Sequence, residues 1–238
     1  MMKKLILFFG LVFGVVSLSA QIRVKGNGIA KEETRNVSNY HSIKLKASFD
    51  VVLTDEKQGK IRIVAEENII PLIQTELNNK VLELYFKPKI SVSYKKAKVY
   101  VPAQNVEKIS LTSSGDVENQ GNIKADSLDI QLLGSGDIDL RNINAEKVKI
   151  LLKGSGDVGL SGVAKEFSVN LIGSGDVSAF GLKTEKSVVE LAGSGDVQVY
   201  STKEFVGKLS GSGDIQVKGN PAKISKIKKG SGMISISK

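Results

Sequence analysis

The sequence contains no cysteine, no tryptophan and a single histidine among its 238 residues. The absence of cysteine excludes disulfides, thiolate nucleophiles and thiolate metal sites. The fold must therefore be held by its core alone, for which this chain length is sufficient. The lone histidine, His41, has no evident acid or glycine-framed serine beside it in the sequence, which argues against a Ser-His-Asp triad.

Long apolar runs are missing after residue 20, and no later stretch approaches the roughly 18 residues of a membrane helix. The start of the chain is different. Lys3 and Lys4 precede an apolar run over 5–16, and small residues follow at 17–20. We therefore predict a secretory signal peptide over 1–20, with a membrane anchor as the alternative. We expect export to the periplasm, the cell surface or the medium, and no membrane span after signal removal.

The chain also lacks an acidic excess, a long run of like charge and a Pro-rich or Ser-rich linker. Its formal net charge is +9. Predicted export argues against nucleic acid as a partner. An anionic glycan or lipid headgroup would suit a basic surface, but a solvated surface explains the same charge.

What the sequence does contain is a repeat. The tripeptide Ser-Gly-Asp recurs at spacings of 21, 20, 19, 20 and 18 residues. A seventh copy, Ser231-Gly232-Met233, has lost its acid. The six acids form the candidate structural turn ladder, namely Asp116, Asp137, Asp157, Asp176, Asp196 and Asp214.

Apolar residues alternate on both sides of each turn. A β-branched residue follows every aspartate, as Val158 follows Asp157, and Phe167, Val169 and Leu171 alternate before the next turn. A small residue lies between the two runs: Ala125, Ala145, Ala164, Thr184 and Thr202. Period two predicts strands with alternate side chains pointing inward.

A coil of about twenty residues is too short for a strand-helix-strand crossover. One strand pair cannot bury its apolar face alone, so the coils must stack. We predict an all-β fold, a right-handed parallel β-helix with inward ladders about 4.8 Å apart. A nested antiparallel sandwich is disfavoured because every copy has the same phase.

Residues 21–107 form a β-rich segment with a degenerate first coil. Ile43 and Leu45 precede Ser48-Phe49-Asp50 as apolar residues precede the later turns. Residues 67–78 are predicted to form a short helix over the N-terminal mouth, begun by Asn68 and Pro71. The repeat solenoid then covers 108–238. Its last coil, 222–238, is interpreted as a cap, because Lys226 and Lys228 replace inward apolar residues and discourage strand pairing.

Four segments together resemble one family. They are the opening 40–53, the stretch Ala-Glu-Glu-Asn-Ile-Ile at 65–70, the strand Val-Tyr-Val-Pro at 99–102, and the serial Gly-Ser-Gly-Asp-Val turns. The sequence is similar to the "putative auto-transporter adhesin, head GIN domain" family over residues 25 to 236. The resemblance implies a parallel β-helix exported mostly by Bacteroidetes, with no catalytic residues to carry over.

Six stacked carboxylates about 5 Å apart would repel by about 0.8 kcal/mol per neighbouring pair even in water. We expect each to accept hydrogen bonds from turn N–H groups, as in Asx-turns. A row of calcium sites is the alternative, although each turn offers one acid only. We therefore assign no catalytic, cofactor or metal site.

Two functions follow from the sequence. The first is a non-enzymatic cell-envelope protein, structural or adhesin-like, that binds an unidentified envelope protein or glycan. The second is a carbohydrate-active β-helix enzyme, a polysaccharide lyase or hydrolase. An enzyme requires a cleft where non-equivalent acids converge, whereas a structural solenoid requires uniform ladders. The oligomeric state does not follow from the sequence.

Overall fold

The computed structural model describes residues 22–237, so the predicted signal peptide lies outside the described residues. Strands account for nearly all regular structure in this range. The first part of the chain contains β1 (Ile22–Lys25), β2 (Ala30–Val37), β3 (Ser42–Leu45), β4 (Asp50–Thr54), β5 (Gly59–Glu66), β6 (Ile73–Asn78), β7 (Val81–Phe86), β8 (Ile90–Ser93) and β9 (Ala97–Pro102). The repeat contains β10 (Lys108–Leu111), β11 (Val117–Gln120), β12 (Ile123–Leu132), β13 (Ile138–Gly154), β14 (Val158–Gly173), β15 (Val177–Gly193), β16 (Val197–Gly211), β17 (Ile215–Lys218), β18 (Lys223–Lys229) and β19 (Ile234–Ser237).

The predicted parallel stacking of the repeat is confirmed. Strands β12 to β15 pair in parallel with their successors over most of their length. Leu152, Leu171 and Leu191 fall in one inward column and are buried. The core is therefore a set of apolar ladders that run along the solenoid axis. β13 to β16 continue across the second bend of each coil, where irregular register replaces a loop.

The column of small residues is also present, with one correction. Ala145, Ala164 and Thr184 lie in register, but the next member is Ser201 and not Thr202. Ser201 is fully buried, and its hydroxyl donates to the carbonyls of Glu204 (2.7 Å) and Glu185 (3.2 Å). The coil from Asp196 is shorter than its predecessor, which moves the bend by one residue.

Glycine is required at the turns because successive backbones nearly touch there. A Cβ on Gly156 would lie 2.0 Å from the carbonyl oxygen of Gly136, and one on Gly175 would lie 2.0 Å from that of Gly156. Both obstacles are backbone atoms that cannot move aside. The repeated Ser-Gly-Asp thus reflects direct stacking of one turn on the next.

The degenerate first coil is confirmed. β3 pairs in parallel with β10, which aligns Ile43 with Ile109, and β4 pairs with β11, which aligns Val51 with Val117. Phe49 is buried at the place of the turn glycine. The order of stacking differs from chain order, however, because β7 and β9 pair with the outer edges of β3 and β4. The intervening segment supplies a further coil in front of the first one.

The helix predicted over 67–78 is wrong. Only Ile70–Leu72 is helical, as a single 3-10 turn, and β6 follows at once. β6 pairs antiparallel with β7 through a two-residue turn at Asn79 and Lys80, both with positive φ (49° and 64°). That geometry is typical of the tight hairpin for which asparagine is favoured. The hairpin pairing outweighs the apolar helical spacing of 69–77.

Antiparallel strands, and no helix, close the N-terminal end of the described solenoid. β5 pairs antiparallel with β9, and β2 pairs antiparallel with β5. Ile61, Ile63 and Ile69 are fully buried beneath this layer. The Arg35 guanidinium crosses the mouth and donates to the carbonyl oxygens of Ile73 (2.6 Å) and Ile70 (3.1 Å).

The C-terminal end is open. Register places Lys226 beneath Gly207 and Lys228 beneath Leu209, at inward positions as the sequence predicted. All seven residues of β18 are exposed, and Lys226 Nζ donates to the carbonyl oxygen of Ile234 (3.1 Å). Among residues 22–237, no helix is long and apolar enough to cross a membrane.

Candidate functional site

The six aspartates of the ladder occupy one corner of the solenoid, and each carboxylate bonds to the coil that follows it. The backbone N–H of Asp137 donates to Asp116 Oδ1 at 2.9 Å. The same bond recurs from Asp157 to Asp137 (2.8 Å) and from Asp176 to Asp157 (2.8 Å). It continues from Asp196 to Asp176 and from Asp214 to Asp196, both at 2.7 Å.

The predicted donors therefore need correction, because the N–H groups belong to the next coil and not to the aspartate's own turn. Each bond to an ionised acceptor is stronger than a neutral one and links two coils. The column thus fixes the register of successive turns, and the backbone N–H groups offset the negative charge of the carboxylates.

The same type of hydrogen bond is present at both ends of the column. Asp50, in the degenerate coil, receives the N–H of Asp116 at a longer 3.4 Å. At the other end Met233 donates its N–H to Asp214 (2.7 Å). Within the described residues no coil follows Met233, so a carboxylate there would have no N–H to accept. The loss of the acid in the seventh copy matches this geometry.

Two exposed rows on the neighbouring sheet place charges of opposite sign in successive coils. Lys147, Glu166, Lys186 and Glu204 lie in one column, with a Lys147–Glu166 contact of 3.1 Å and a Lys186–Glu204 contact of 3.9 Å. A neighbouring row pairs Lys203 with Glu185 at 2.8 Å. Like charges persist at the aspartate corner because every member has an N–H to accept.

Acids that could act in concert are scarce in the part of the chain that the structure describes. No group of three or more His, Asp and Glu side chains between residues 22 and 237 is placed to hold a metal ion. In the ladder, Oδ1 of each aspartate from Asp116 to Asp214 is already engaged by a backbone N–H. This leaves one oxygen per turn for any cation.

A depression lined by acids and a lysine lies at the bend that carries the small residues. It measures about 510 Å³ and is lined by Glu107, Asp126 and Glu146, with His41 at its rim. No acid lies beside His41 in the sequence, but the fold brings Glu107 to it, with its Oε1 3.8 Å from His41 Nδ1. Both side chains are exposed to solvent, and no serine lines the depression.

Glu66 is a buried carboxylate that sequence reasoning did not identify. It is 3% exposed and accepts the N–H of Gly28 and the N–H of Lys95, both at 3.0 Å. A Cβ on Gly26 would lie 2.2 Å from its Oε2. Glu66 thus ties the loop before β2 to the loop after β8. No local pattern marks this role, because its partners lie 38 and 29 residues away.

A family match and several solved structures show what this architecture is similar to. Residues 39–221 match the family described as "Putative auto-transporter adhesin, head GIN domain". A crystal structure of a putative adhesin from Bacteroides fragilis is 25% identical, with a TM-score of 0.85 over 90% of this chain and 100% of that one. No curated protein matches the chain.

Two further solved structures share the fold, both from Parabacteroides distasonis. One is a putative adhesin, 22% identical with a TM-score of 0.74, and covers 90% of this chain and 100% of its own. The other is a putative lipid binding protein, 23% identical with a TM-score of 0.74, and covers 91% of this chain and 100% of its own. At these identities the likeness establishes the fold alone.

Proposed function

The chain belongs to the putative auto-transporter adhesin, head GIN domain family, and from that premise we propose that it is an exported, non-catalytic, adhesin-like protein of the cell envelope. Its rigid solenoid would present a regular surface to an envelope protein or glycan. The putative adhesin from Bacteroides fragilis has the same architecture over nearly the whole chain, which supports a binding role.

One observation carries the non-catalytic part of the proposal. The carboxylate of each repeated acid accepts a hydrogen bond from a backbone N–H of the next coil. The surroundings of these carboxylates are nearly the same from Asp137 to Asp196. Acid–base catalysis requires carboxylates with different surroundings, and therefore different pKa values. A uniform column supports a scaffold better than an active site.

The surface best suited to contact is the sheet that follows the aspartate corner. Its outward column continues from Asp139 with small or amide side chains in direct register, and we call these residues the lateral face: Gly159, Ser178, Gln198 and Gln216. None of these four residues is charged, whereas one column on the neighbouring sheet alternates lysine and glutamate from Lys147 to Glu204. An uncharged, flat row is inexpensive to desolvate on binding.

Aromatic groups flank the lateral face. Lys218 Nζ lies 4.3 Å from the centroid of the Phe180 ring. The Tyr200 ring packs against Gly219, where a Cβ would lie 2.9 Å from Cε1. Amide groups beside partly exposed rings suit hydrogen bonding and stacking with a sugar or a polar peptide.

The experiment combines localisation with binding to isolated envelopes. The native protein should fractionate with the envelope or the medium, and purified protein should bind intact envelopes saturably. The double variant Ser178→Arg/Gln198→Arg should lose that binding, while the control Ser168→Arg/Asn170→Arg, on the neighbouring sheet, should retain it. Cytoplasmic protein, or equal binding by both variants, would contradict the proposal.

The depression at Glu107, Asp126 and Glu146 gives the enzyme alternative a definite location. A panel of uronate and neutral polysaccharides tests it directly. We expect no depolymerisation by the purified protein. Cleavage that disappears in Glu146→Gln, with an unchanged melting temperature, would establish the enzyme instead.

A further inference from the structure

The C-terminal end plate, formed by β18 and β19, is an exposed cross-section of the solenoid. β18 pairs with β16 on one side, and β19 pairs with β17. Within residues 22–237 no strand pairs with the opposite edge of either one. A strand edge of this kind presents unpaired N–H and C=O groups to another chain.

The end plate is apolar as well as unpaired. Ile224 is 50% exposed, Ile227 is 53% exposed and Met233 is 62% exposed. Ile234 and Ile236 continue the inward columns of Ile215 and Val217. Between them lies a depression of about 300 Å³, bounded by Lys226, Lys228 and Met233. These side chains continue a core that no further coil covers within residues 22–237.

The charge of the end plate has one sign. From Ile215 to the end of the chain the sequence contains no aspartate or glutamate. The lysines of this stretch in the described range are Lys218, Lys223, Lys226, Lys228 and Lys229. Lys226 and Lys228 occupy inward positions, so any strand added to β18 meets both ammonium groups.

A second copy of this chain is poorly suited to cover the end plate. Two end plates face to face would oppose lysines with lysines. The N-terminal end is sealed by β2 and β5, and β2 carries Glu32 and Glu33 beside Lys31 and Arg35, so head-to-tail stacking would offer the lysines of the end plate no acidic excess. Like charges at a contact select against a partner.

We propose that the end plate receives an acidic, extended polypeptide segment, which adds to β18 as a further strand. Its backbone would pair with the free edge, its carboxylates would lie on the face of Lys226 and Lys228, and its apolar side chains would lie on the opposite face, beside Ile227. Strand addition supplies affinity through main-chain hydrogen bonds, and the lysines supply selectivity by charge. The site is distinct from the lateral face and does not depend on it.

Three fluorescent peptides test the proposal with the full mature chain. They match the seven residues of β18 in length and alternate valine with glutamate, glutamine or lysine. Fluorescence anisotropy should show binding of the glutamate peptide alone, at least about tenfold tighter than the glutamine peptide and weaker as salt is raised. Charge reversal in Lys226→Glu/Lys228→Glu should transfer the preference to the lysine peptide.

The matched control is Lys149→Glu/Lys153→Glu, which makes the same charge change in the middle of the stack. It should leave the peptide preference intact, and melting temperatures should show that both variants fold. Absence of glutamate-peptide binding, or a preference that Lys226→Glu/Lys228→Glu does not reverse, would overturn the proposal. Capture by phosphatidylglycerol vesicles without peptide binding would also overturn it and assign the lysines to a lipid surface.

The two proposals fail separately. Ser178→Arg/Gln198→Arg should keep the peptide affinity although it loses the envelope. Lys226→Glu/Lys228→Glu should keep envelope binding although its peptide preference reverses. Loss of both activities in either variant would contradict the assignment of two separate surfaces.

Discussion

The Oδ1 atom of Asp137 accepts a hydrogen bond of 2.8 Å from the backbone N–H of Asp157, one coil further along the solenoid. The carboxylate of Asp157 does the same for Asp176. Each aspartate therefore serves its neighbour's turn, and the column works as a chain of links between coils. This relationship explains why like charges are retained at this corner, whereas the column from Lys147 to Glu204 alternates them.

Removing one link should destabilise the stack. Asp157→Ala leaves the N–H of Asp176 without its acceptor and should lower the unfolding free energy by about 1–2 kcal/mol, reduced from the value for a buried charged bond because the corner is exposed. Met233→Ala is the matched control, since that position has no acceptor role, and should change stability by less than about 0.5 kcal/mol. Urea denaturation measures both, and equal losses would contradict the link.

Substitution of a turn glycine by alanine should destabilise the protein far more than the same substitution of a glycine three residues away. Gly156→Ala places a Cβ 2.0 Å from a backbone oxygen and should cost more than about 3 kcal/mol or prevent folding. Gly159→Ala meets only the Asp139 carboxylate, at 3.3 Å, and should be tolerated. Soluble yield and melting temperature report the difference. A Gly156→Ala variant as stable as Gly159→Ala would refute the contact between turns.

The phase of the strand predicts that alanine substitutions at two adjacent residues should have very different effects on stability. Leu171 is buried in an inward column, whereas Asn170 points outward. Leu171→Ala should destabilise by about 2–5 kcal/mol, because it removes buried methyl groups and leaves a cavity. Asn170→Ala should change stability by less than about 0.5 kcal/mol. Equal thermal shifts would contradict the assigned phase.

Two carboxyls should give pH dependences of opposite sign. Burial, more than any other cause, raises the pKa of Asp50 above its ordinary 3.8. The folded protein therefore binds the Asp50 proton more tightly than the unfolded chain does. The stability that this contributes is fully present below pH 3.8 and is lost as the pH rises through the raised pKa. The melting temperature of Asp50→Asn should therefore increase, relative to the parent protein, between pH 3 and pH 7.

Glu185 provides the comparison. A hydrogen bond from Lys203 lowers its pKa below the ordinary 4.5, so its stability is present above pH 4.5 and is lost as the pH falls through the lowered pKa. Glu185→Gln should be less stable than the parent protein at pH 7 and equal to it at low pH. Parallel pH trends for the two variants would show that the assigned causes are wrong.

The repeat could be read from the sequence because identical coils impose identical constraints. The strand phase and the inward residues follow from the positions of Val158 and Leu171 relative to the turns, and the inward position of Lys226 follows in the same way. The non-repeating insertion offers no such check. Residues 69–77 carry helical spacing and strand alternation at once, and only the pairing of β6 with β7 decides between them.

Polar contacts between residues distant in sequence could not be predicted from the sequence either. Glu66 and Arg35 act on backbone groups that are distant in sequence and become close only after the insertion stacks in front of the first coil. The hydrogen bonds of the aspartate carboxylates could be predicted only in part. The turn geometry indicated N–H donors, but the choice between a donor in the same turn and one in the next coil depends on the stacking distance.

A calcium titration of thermal stability tests the central claim most directly, that the aspartate column links coils and does not bind a ligand. The melting temperature of the full mature chain is measured with excess calcium and with chelator. If the carboxylates are satisfied by the N–H groups of the next coil, the two values should agree. A rise that saturates with calcium, and that Asp157→Asn diminishes, would contradict the account and assign the column to cation binding.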